Sequence, residues 1–446
     1  MLKDGNQTKL KMVGENAVAL WLKGANEWNA WVKQNPSADI DFSDVDFSEY
    51  RTEENRTISF SHFIFPKGAV SFSFTKFGDG DVNFGAAVFN TEYVDFTGAQ
   101  FGDGYLNFTG VQFNDVYVCF TQVQFGEGSV DFSGVQFGDG SVDFSGAQFG
   151  KRGVSFSLAE FGDGDVIFTD AHFGDGNADF SGVQFEGKVD FSGAQFGGNA
   201  NFRYARFGQG NINFRGAEFK GHASFILVKA PHVNSFDFCR CSFDRALDFS
   251  GSSFACIIDL TQTKITHHVS LANLTYHLQQ NWYGNARDKE DIARLERLKE
   301  IAVNNKAHQQ ALRFHADEQR SKRWHETKPF HGVFIDYLFD LFSCYGQSIG
   351  RPLFSLLISI PYFALLFLAS STERTATFAD GMLLSLNNAL LFIPNNRLTS
   401  LQAKATLFGE QGNIPHQALV LICTQGILSF VFIFLIALGF RNRFRV

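Results

Sequence analysis

The chain has 446 residues, a formal net charge of -8 and a pI near 5.8, so it exceeds one ordinary domain and its acidity argues against general nucleic-acid binding. Its 54 Phe against 8 Pro and 3 Met put one residue type far above ordinary usage, which calls for a structural repeat. No nucleophile–base pair, phosphate-binding Gly loop or metal cluster appears in the sequence, so neither an enzyme nor a resident cofactor is expected. Six scattered Cys, with only Cys239 and Cys241 close together, and the polar opening "MLKDGNQTKLK" fit reduced, cytosol-facing thiols and no signal peptide.

Residues 1–37 read as a capping helix. Val18, Trp21, Trp28 and Trp31 recur at helical spacing and the pattern stops at Pro36, which fits an end-cap better than a ligand-binding Trp cluster. From Phe60 onward Phe recurs at alternating steps of five and seven residues, through Phe65, Phe72, Phe77 and Phe84 to Phe225. Two residues before each Phe stands a second apolar register, as at Val82, Ala87, Val94, Ala99 and Leu106. The residue between is usually Asp, Asn or Gln, the period-two alternation of a short strand with one buried face. "SG" and "GDGS" are left to turn the corners, where Gly permits positive φ. One repeat cannot bury its own Phe, so successive coils must stack into a solenoid. Its core is expected to contain Phe132, Phe137, Phe144, Phe149, Phe156 and Phe161.

These "DFSGAQF" units resemble the Phe-centred variant of the pentapeptide-repeat family over roughly residues 40 to 275. The resemblance implies a mainly β fold, a right-handed quadrilateral β-helix with about 24 residues per coil, roughly nine coils and a rod near 40 Å long at ~4.8 Å per coil. Openings of the "WNxW...NP" type precede the coil in family members. The seven-residue steps depart from the family's strict fives. Some soluble members imitate duplex DNA and occupy topoisomerase, but they are essentially all coil, whereas this chain continues into a different composition. The Asp of "GDG", at Asp79, Asp103, Asp139, Asp163 and Asp175, recurs at about twelve residues or multiples of it rather than nine, so solvated turns are expected there instead of calcium sites. Between Phe77 and Ala200 acids outnumber bases by well over three to one, giving an acidic rod that would attract a basic protein partner.

After a solenoid spanning 38–275, residues 276–328 read as a helical hairpin connector joined near Asn304 and Asn305. Ile292, Leu295, Leu298, Ile301 and Ala302 line one face, and Ala307, Ala311, Phe314 and Ala316 the other. Its His308, His315 and His325 form no closed ligand set. Residues 329–350 set Phe330, Val333, Phe334, Tyr337, Leu338, Leu341 and Phe342 against Asp336 and Asp340, the pattern of an interfacial amphipathic helix. Within a C-terminal α-helical transmembrane domain, 351–446, residues 352–370 are apolar and just long enough to span, with a kink expected at Pro361, and 416–440 form a stronger second span. Lys322, Arg323, Lys328 and Arg351 precede the first span, and Arg441, Arg443 and Arg445 follow the second. That arrangement predicts that both termini face the cytoplasm, and the inner (plasma) membrane of a bacterial cell is the expected location. Between the spans, 378–394 are apolar but short and carry Asn387 and Asn388, as a re-entrant segment would.

A span, a re-entrant half-helix and a second span resemble two-transmembrane channel pores, which form only when subunits assemble, as in a tetramer. The "TVGYG" filter of potassium channels is missing. The resemblance implies an ion channel whose pore is lined by Ser385, Asn387, Asn388, Thr424 and Gln425, with Gly426 as a hinge of the second span and the solenoid as sensor or gate. Helix-to-helix hydrogen bonding weighs equally with pore lining for Gln425. A membrane-tethered interaction scaffold, or a membrane-disrupting effector of stress or phage defence, would use the same parts.

Overall fold

The computed structural model describes residues 9–52, 56–327, 329–390, 396–409 and 414–444. They form two compact units, one running to Gln279 together with Ala293–Ile301, the other comprising Gln280–Ile292 and the chain from Ala302. Residues 1–8 of the expected cap, residues 391–394 of the expected re-entrant segment, Lys328 and Arg445 lie outside the described residues.

The first unit is a parallel β-solenoid of about eleven turns, two more than the Phe ladder alone suggests, because coils continue on both sides of Phe60–Phe225. The turns send short strands to four faces, mostly of two or three residues but of five at Gln209–Asn213 and six at His232–Asp237, and the two longer faces carry ten strands each. Down one face Ile58, Val82, Leu106, Val130, Val154, Ala178, Ala200, Ala223, Leu247 and Val269 stand in register. The second apolar position of the repeat is thus one continuous column. Main-chain bonds run between coils: Phe84 N donates to Asn107 O at 2.7 Å, and Phe132 N to Ser155 O at 2.7 Å.

The rings fill the middle. Phe132, Phe137, Phe144 and Phe156 are fully buried, with Phe149 at 4% and Phe161 at 2% exposure. Each stacks on the ring one coil away: Phe132 on Phe156 at 4.9 Å between centroids, Phe137 on Phe161 at 4.4 Å, Phe144 on Phe168 at 4.8 Å. Across the coil they meet edge to face, as in Phe132 and Phe144 at 5.6 Å and 83°. Burial of each ring contributes roughly 1.5–3 kcal/mol, and favourable ring pairs add about 0.5–1.5 kcal/mol.

Corner chemistry follows from coil spacing. The five-residue step turns on a residue at positive φ, which is Gly at 98, 110, 134 and 146 but Phe74, Gln122, Leu158, Tyr204 and Leu227 elsewhere. The position imposes the conformation, and Gly adopts it at least cost. A bulky residue here lies over the Gly of the following coil: a Cβ on Gly98 would sit 2.7 Å from the Phe74 ring, and one on Gly182 2.8 Å from Leu158. At the seven-residue corner the main chains themselves stack, so that a Cβ on Gly128 would lie 1.8 Å from Gly104 O. The strand Asp residues accept from the main chain two residues on, as in Thr97 N to Asp95 at 2.8 Å and Ser145 N to Asp143 at 2.8 Å. The corner acids bridge coils, with Asp103 accepting from Glu127 N at 3.2 Å and Asp115 from Asp139 N at 3.0 Å.

Both ends are closed by helices. In place of one N-terminal helix there are two, α1 (Glu15–Trp21) and α2 (Ala25–Gln34), broken at Gly24 with φ 85. Trp21 Nε1 donates to Ser59 O at 2.8 Å, Trp28 Nε1 to Ile64 O at 3.0 Å, and Asn29 takes Ile64 N at 2.8 Å. The cap therefore satisfies main-chain groups that no preceding coil reaches. At the other end, residues 293–301 of α3 (Asp291–Asn304) bury Leu295 and Leu298 completely. Arg294 pairs there with Asp259 at 3.3 Å, and Arg297 donates to Thr263 O at 3.0 Å.

Substitution of two corner glycines separates contact from conformation. Gly110→Ala meets nothing within 4 Å at φ 66, so it should cost only the ~1–3 kcal/mol of left-handed backbone. Gly128→Ala should shift the guanidinium unfolding midpoint markedly further, because the coils must part. Equal shifts would refute the stacked-corner account.

Candidate functional site

The second unit is helical: α4 (His308–Lys322), α5 (Phe330–Ser343), α6 (Gly350–Ala369), α7 (Phe378–Ala389), α8 (Asn396–Phe408) and α9 (His416–Arg443). Two of them, α6 and α9, are long and apolar enough to cross a membrane. Only 39% and 22% of their most apolar stretches are buried, whereas a core helix of a water-soluble protein would be mostly covered. Phe354, Tyr362, Ile427, Phe430 and Phe434 are all more than half exposed, a surface suited to hydrocarbon.

Between these helices α7 runs back along α6. Its start is fixed by a capping box in which Thr377 and Asp380 satisfy each other. Gly381 lets the two main chains approach, since a Cβ there would meet Ala364 O at 2.5 Å. Leu384 then packs with Phe363 and Phe367, and Ala389 reaches Leu356, Ile360 and Phe432. The return arm α8 brings Ala403, Leu407 and Phe408 to the cluster of Phe363 and Phe367, and Leu407 O accepts from Thr372 N at 3.1 Å beside the end of α6. The hairpin therefore enters and leaves at the same end of α6. It penetrates to within about 9 Å of the other end, at ~1.5 Å per residue from Gly350 to Leu356.

Polar side chains meet at that depth. The Ser385 hydroxyl, fully buried, donates to Ile360 O at 2.7 Å and accepts from Gln425 Nε2 at 2.5 Å. Gln425 Nε2 also reaches Ser385 O at 3.1 Å, while its Oε1 accepts from Asn388 Nδ2 at 3.1 Å. Asn388 Nδ2 further donates to Ile422 O at 2.8 Å. One network thus ties α6, α7 and α9 together. Asn387 lies apart from it, buried, accepting from Thr399 Oγ1 of α8 at 3.2 Å. Thr424 faces away and is exposed, bonding back to Val420 O at 2.8 Å. The helix runs unbroken through Gly426, beside Asn388, and α6 likewise through Pro361. Sequence reasoning passed over Thr399 and Ser429; Ser429 lies one turn beyond Gln425, buried without a hydrogen-bond partner among the described residues.

It also passed over an ionic cluster joining α4 to α5. Arg320 forks onto Asp340 at 3.0 and 2.7 Å. Arg323, 4% exposed, bonds Asp336, Asp340 at 2.7 Å and the Tyr345 hydroxyl at 2.8 Å. Burial by itself would raise the Asp340 pKa, but the hydrogen bonds from Arg320 and Arg323 outweigh it and hold the carboxyl below its usual range. Spacings of three and four residues, Arg320 to Arg323 and Asp336 to Asp340, were the available signal. With its acids occupied, α5 leaves Phe330, Phe334, Ile335 and Leu341 exposed.

In the solenoid, Cys241 is buried and donates to Phe214 O at 2.9 Å, and burial pushes its thiol well above the ordinary range. His325 lies 3.0 Å from Ala286 O, and no His/Cys/Asp/Glu group able to hold a metal ion occurs among the described residues. The rod's charge changes sign past Ala200, where Arg203, Arg206, Arg215, Lys220, Lys229, Arg240, Arg245 and Lys264 outnumber the acids.

Gln425→Leu should weaken helix association by about 1–2 kcal/mol through the lost interhelical bonds, read as a lower melting temperature in detergent. Thr424→Val should leave that temperature unchanged, and equal effects would sink the assignment of the network. For the ionic cluster, Asp340 is depressed in the folded state, so its contribution is complete above about pH 3.8. It is lost as pH falls through the lower folded value. Amide exchange in α4 and α5 should accelerate over that interval, and Asp340→Asn should abolish the step.

The pentapeptide-repeat model matches residues 180–226 as nine copies of the repeat. No curated protein and no solved structure matches the chain. Over that stretch of its solenoid the chain is similar to the pentapeptide-repeat family, and it joins the solenoid to a helical unit with two helices apolar enough to span a membrane.

Proposed function

We propose that the second unit is the membrane domain of an oligomeric ion channel and that the solenoid is its cytoplasmic sensing domain. The observation that carries this reading is the pair α7 and α8, which both pack beside α6 and carry Ser385, Asn387, Asn388 and Thr399. A helical pair that served only as an anchor needs neither a re-entrant arm nor buried amides, which are costly in hydrocarbon unless bonded. Arg351, Arg441 and Arg443 gather at the end where α6 starts and α9 finishes, which favours a cytoplasmic side there and hence cytoplasmic termini. The exposed apolar face of α5 suits the bilayer surface.

Several copies, a tetramer among the closed assemblies, would surround a conduit beside the hairpin. Gating follows from linkage: a basic partner that binds the acidic coils better in one arrangement of the subunits shifts the pore toward that arrangement. The tethered-scaffold reading is separated from this one by flux. Purified protein in liposomes should pass small ions down an imposed gradient. The chain ending before Pro352 should pass none, and Asn387→Ala with Asn388→Ala should alter the rate. Protein whose α6 and α9 are shown to be inserted by protease protection, yet which conducts under no gradient or potential, would leave the scaffold standing.

A further inference from the structure

Where the last turn of α9 meets α4 and the segment leading into α6, a depression of about 440 Å³ is lined by Gln309, Leu312, Gln347, Asn442 and Arg443. Its amides are oriented by the main chain. Gln347 Nε2 donates to Leu312 O at 2.9 Å, Gln309 Nε2 to Asn442 O at 3.4 Å, and the buried Asn442 gives its Nδ2 to Gly346 O at 3.0 Å. Each bond fixes which end of the amide is nitrogen. The two Gln oxygens remain as acceptors, and neither takes a hydrogen bond from a described residue. Arg443 is exposed and has no ion-pair partner among the described residues, and the lining includes no carboxylate.

One guanidinium beside two amide oxygens complements a ligand carrying both an anion and a hydrogen-bond-donating cation. A simple anion would leave the oxygens unmatched, and a simple cation would be repelled by Arg443. The site lies at the arginine-rich end of the two apolar helices, with Phe440 and Phe444 stacked and exposed on the same turns of α9. We propose that this depression binds a phosphate ester bearing a primary amine, with the phosphate on Arg443 and the ammonium on the Gln309 and Gln347 oxygens. The source favoured by its position is the headgroup of an ethanolamine phospholipid. That choice of source rests on the membrane reading above, while the headgroup chemistry does not.

The test uses the full chain. After reconstitution in nanodiscs of phosphatidylglycerol mixed with either phosphatidylethanolamine or phosphatidylcholine, retained lipid is counted by native mass spectrometry. In a second arm the detergent-solubilised chain is titrated with soluble phosphoethanolamine by calorimetry. Preferential retention of the ethanolamine lipid is expected, falling at least tenfold in Arg443→Gln. Gln309→Leu should keep phospholipid retention but erase the preference for ethanolamine over choline. Binding of phosphoethanolamine without lipid retention would assign the site to a soluble ligand and overturn the lipid source. Absence of both, or retention indifferent to Arg443→Gln, would overturn the site itself. Failure of the chain to enter nanodiscs would count against the membrane reading, and the calorimetric arm would still decide the headgroup chemistry.

Discussion

Everything in the first unit depends on one spacing, the distance of ~4.8 Å that main-chain hydrogen bonding sets between neighbouring strands. A coil of 24 residues returns each position to lie above its equivalent, as Leu106 lies above Val82 and Val130 above Leu106. Rings such as Phe144 and Phe168 must then stack at nearly the same distance, 4.8 Å. A flat ring fits that interval and still reaches the middle of the coil, so Phe is repeated until Leu260 and Leu271 take its place in the last coils. The same interval governs the corners, where main chain lies over main chain and Gly128 has no room for a Cβ above Gly104. The polar residues obey it as well. Asp103 and Asp115 each accept from the coil beyond, so the acidic corners act as inter-coil ties in addition to setting surface charge.

A column of this kind has no natural end, and its terminal coils would expose both main-chain groups and rings. The two caps meet that problem with different chemistry. At the N-terminal end, indoles supply apolar area and a donor together, so Trp21 and Trp28 cover rings while bonding Ser59 O and Ile64 O. At the C-terminal end, α3 covers the core with Leu295 and Leu298 and uses Arg294 and Arg297 for the polar rim.

The second unit differs: beside its buried apolar clusters it turns many apolar side chains outward and buries amides. Ser385, Asn388 and Gln425 satisfy one another within one chain, and the low dielectric around them would strengthen the bonds. A network so complete holds the hairpin against α6 and α9. The channel proposal therefore turns on whether assembly or gating opens it to water. The ionic cluster of Arg320, Arg323, Asp336, Asp340 and Tyr345 fixes α5 to α4 and leaves the apolar face of α5 outward. Helix polarity, acid spacing and exposed face are thereby settled by one set of charge-assisted bonds.

Sequence by itself determined the solenoid, because its period is written in every coil and each Phe needs only its neighbours to be buried. It also determined the two apolar helices, whose length and composition are local properties, and the buried faces of the connector at Leu295, Leu298, Ala311 and Phe314. The break at Gly24 was not legible, since the apolar spacing of Val18 through Trp31 runs across it. Tertiary structure alone decided the partners of the polar residues in the second unit. Thr424 and Gln425 are adjacent in sequence, yet the 100° turn between successive helical residues sends one outward and the other into the bundle. Asn387 and Asn388 diverge for the same reason, one toward Thr399 and the other toward Gln425. Which side of a helix is interior depends on the helices packed against it, and that information is distributed over α6, α7, α8 and α9 together.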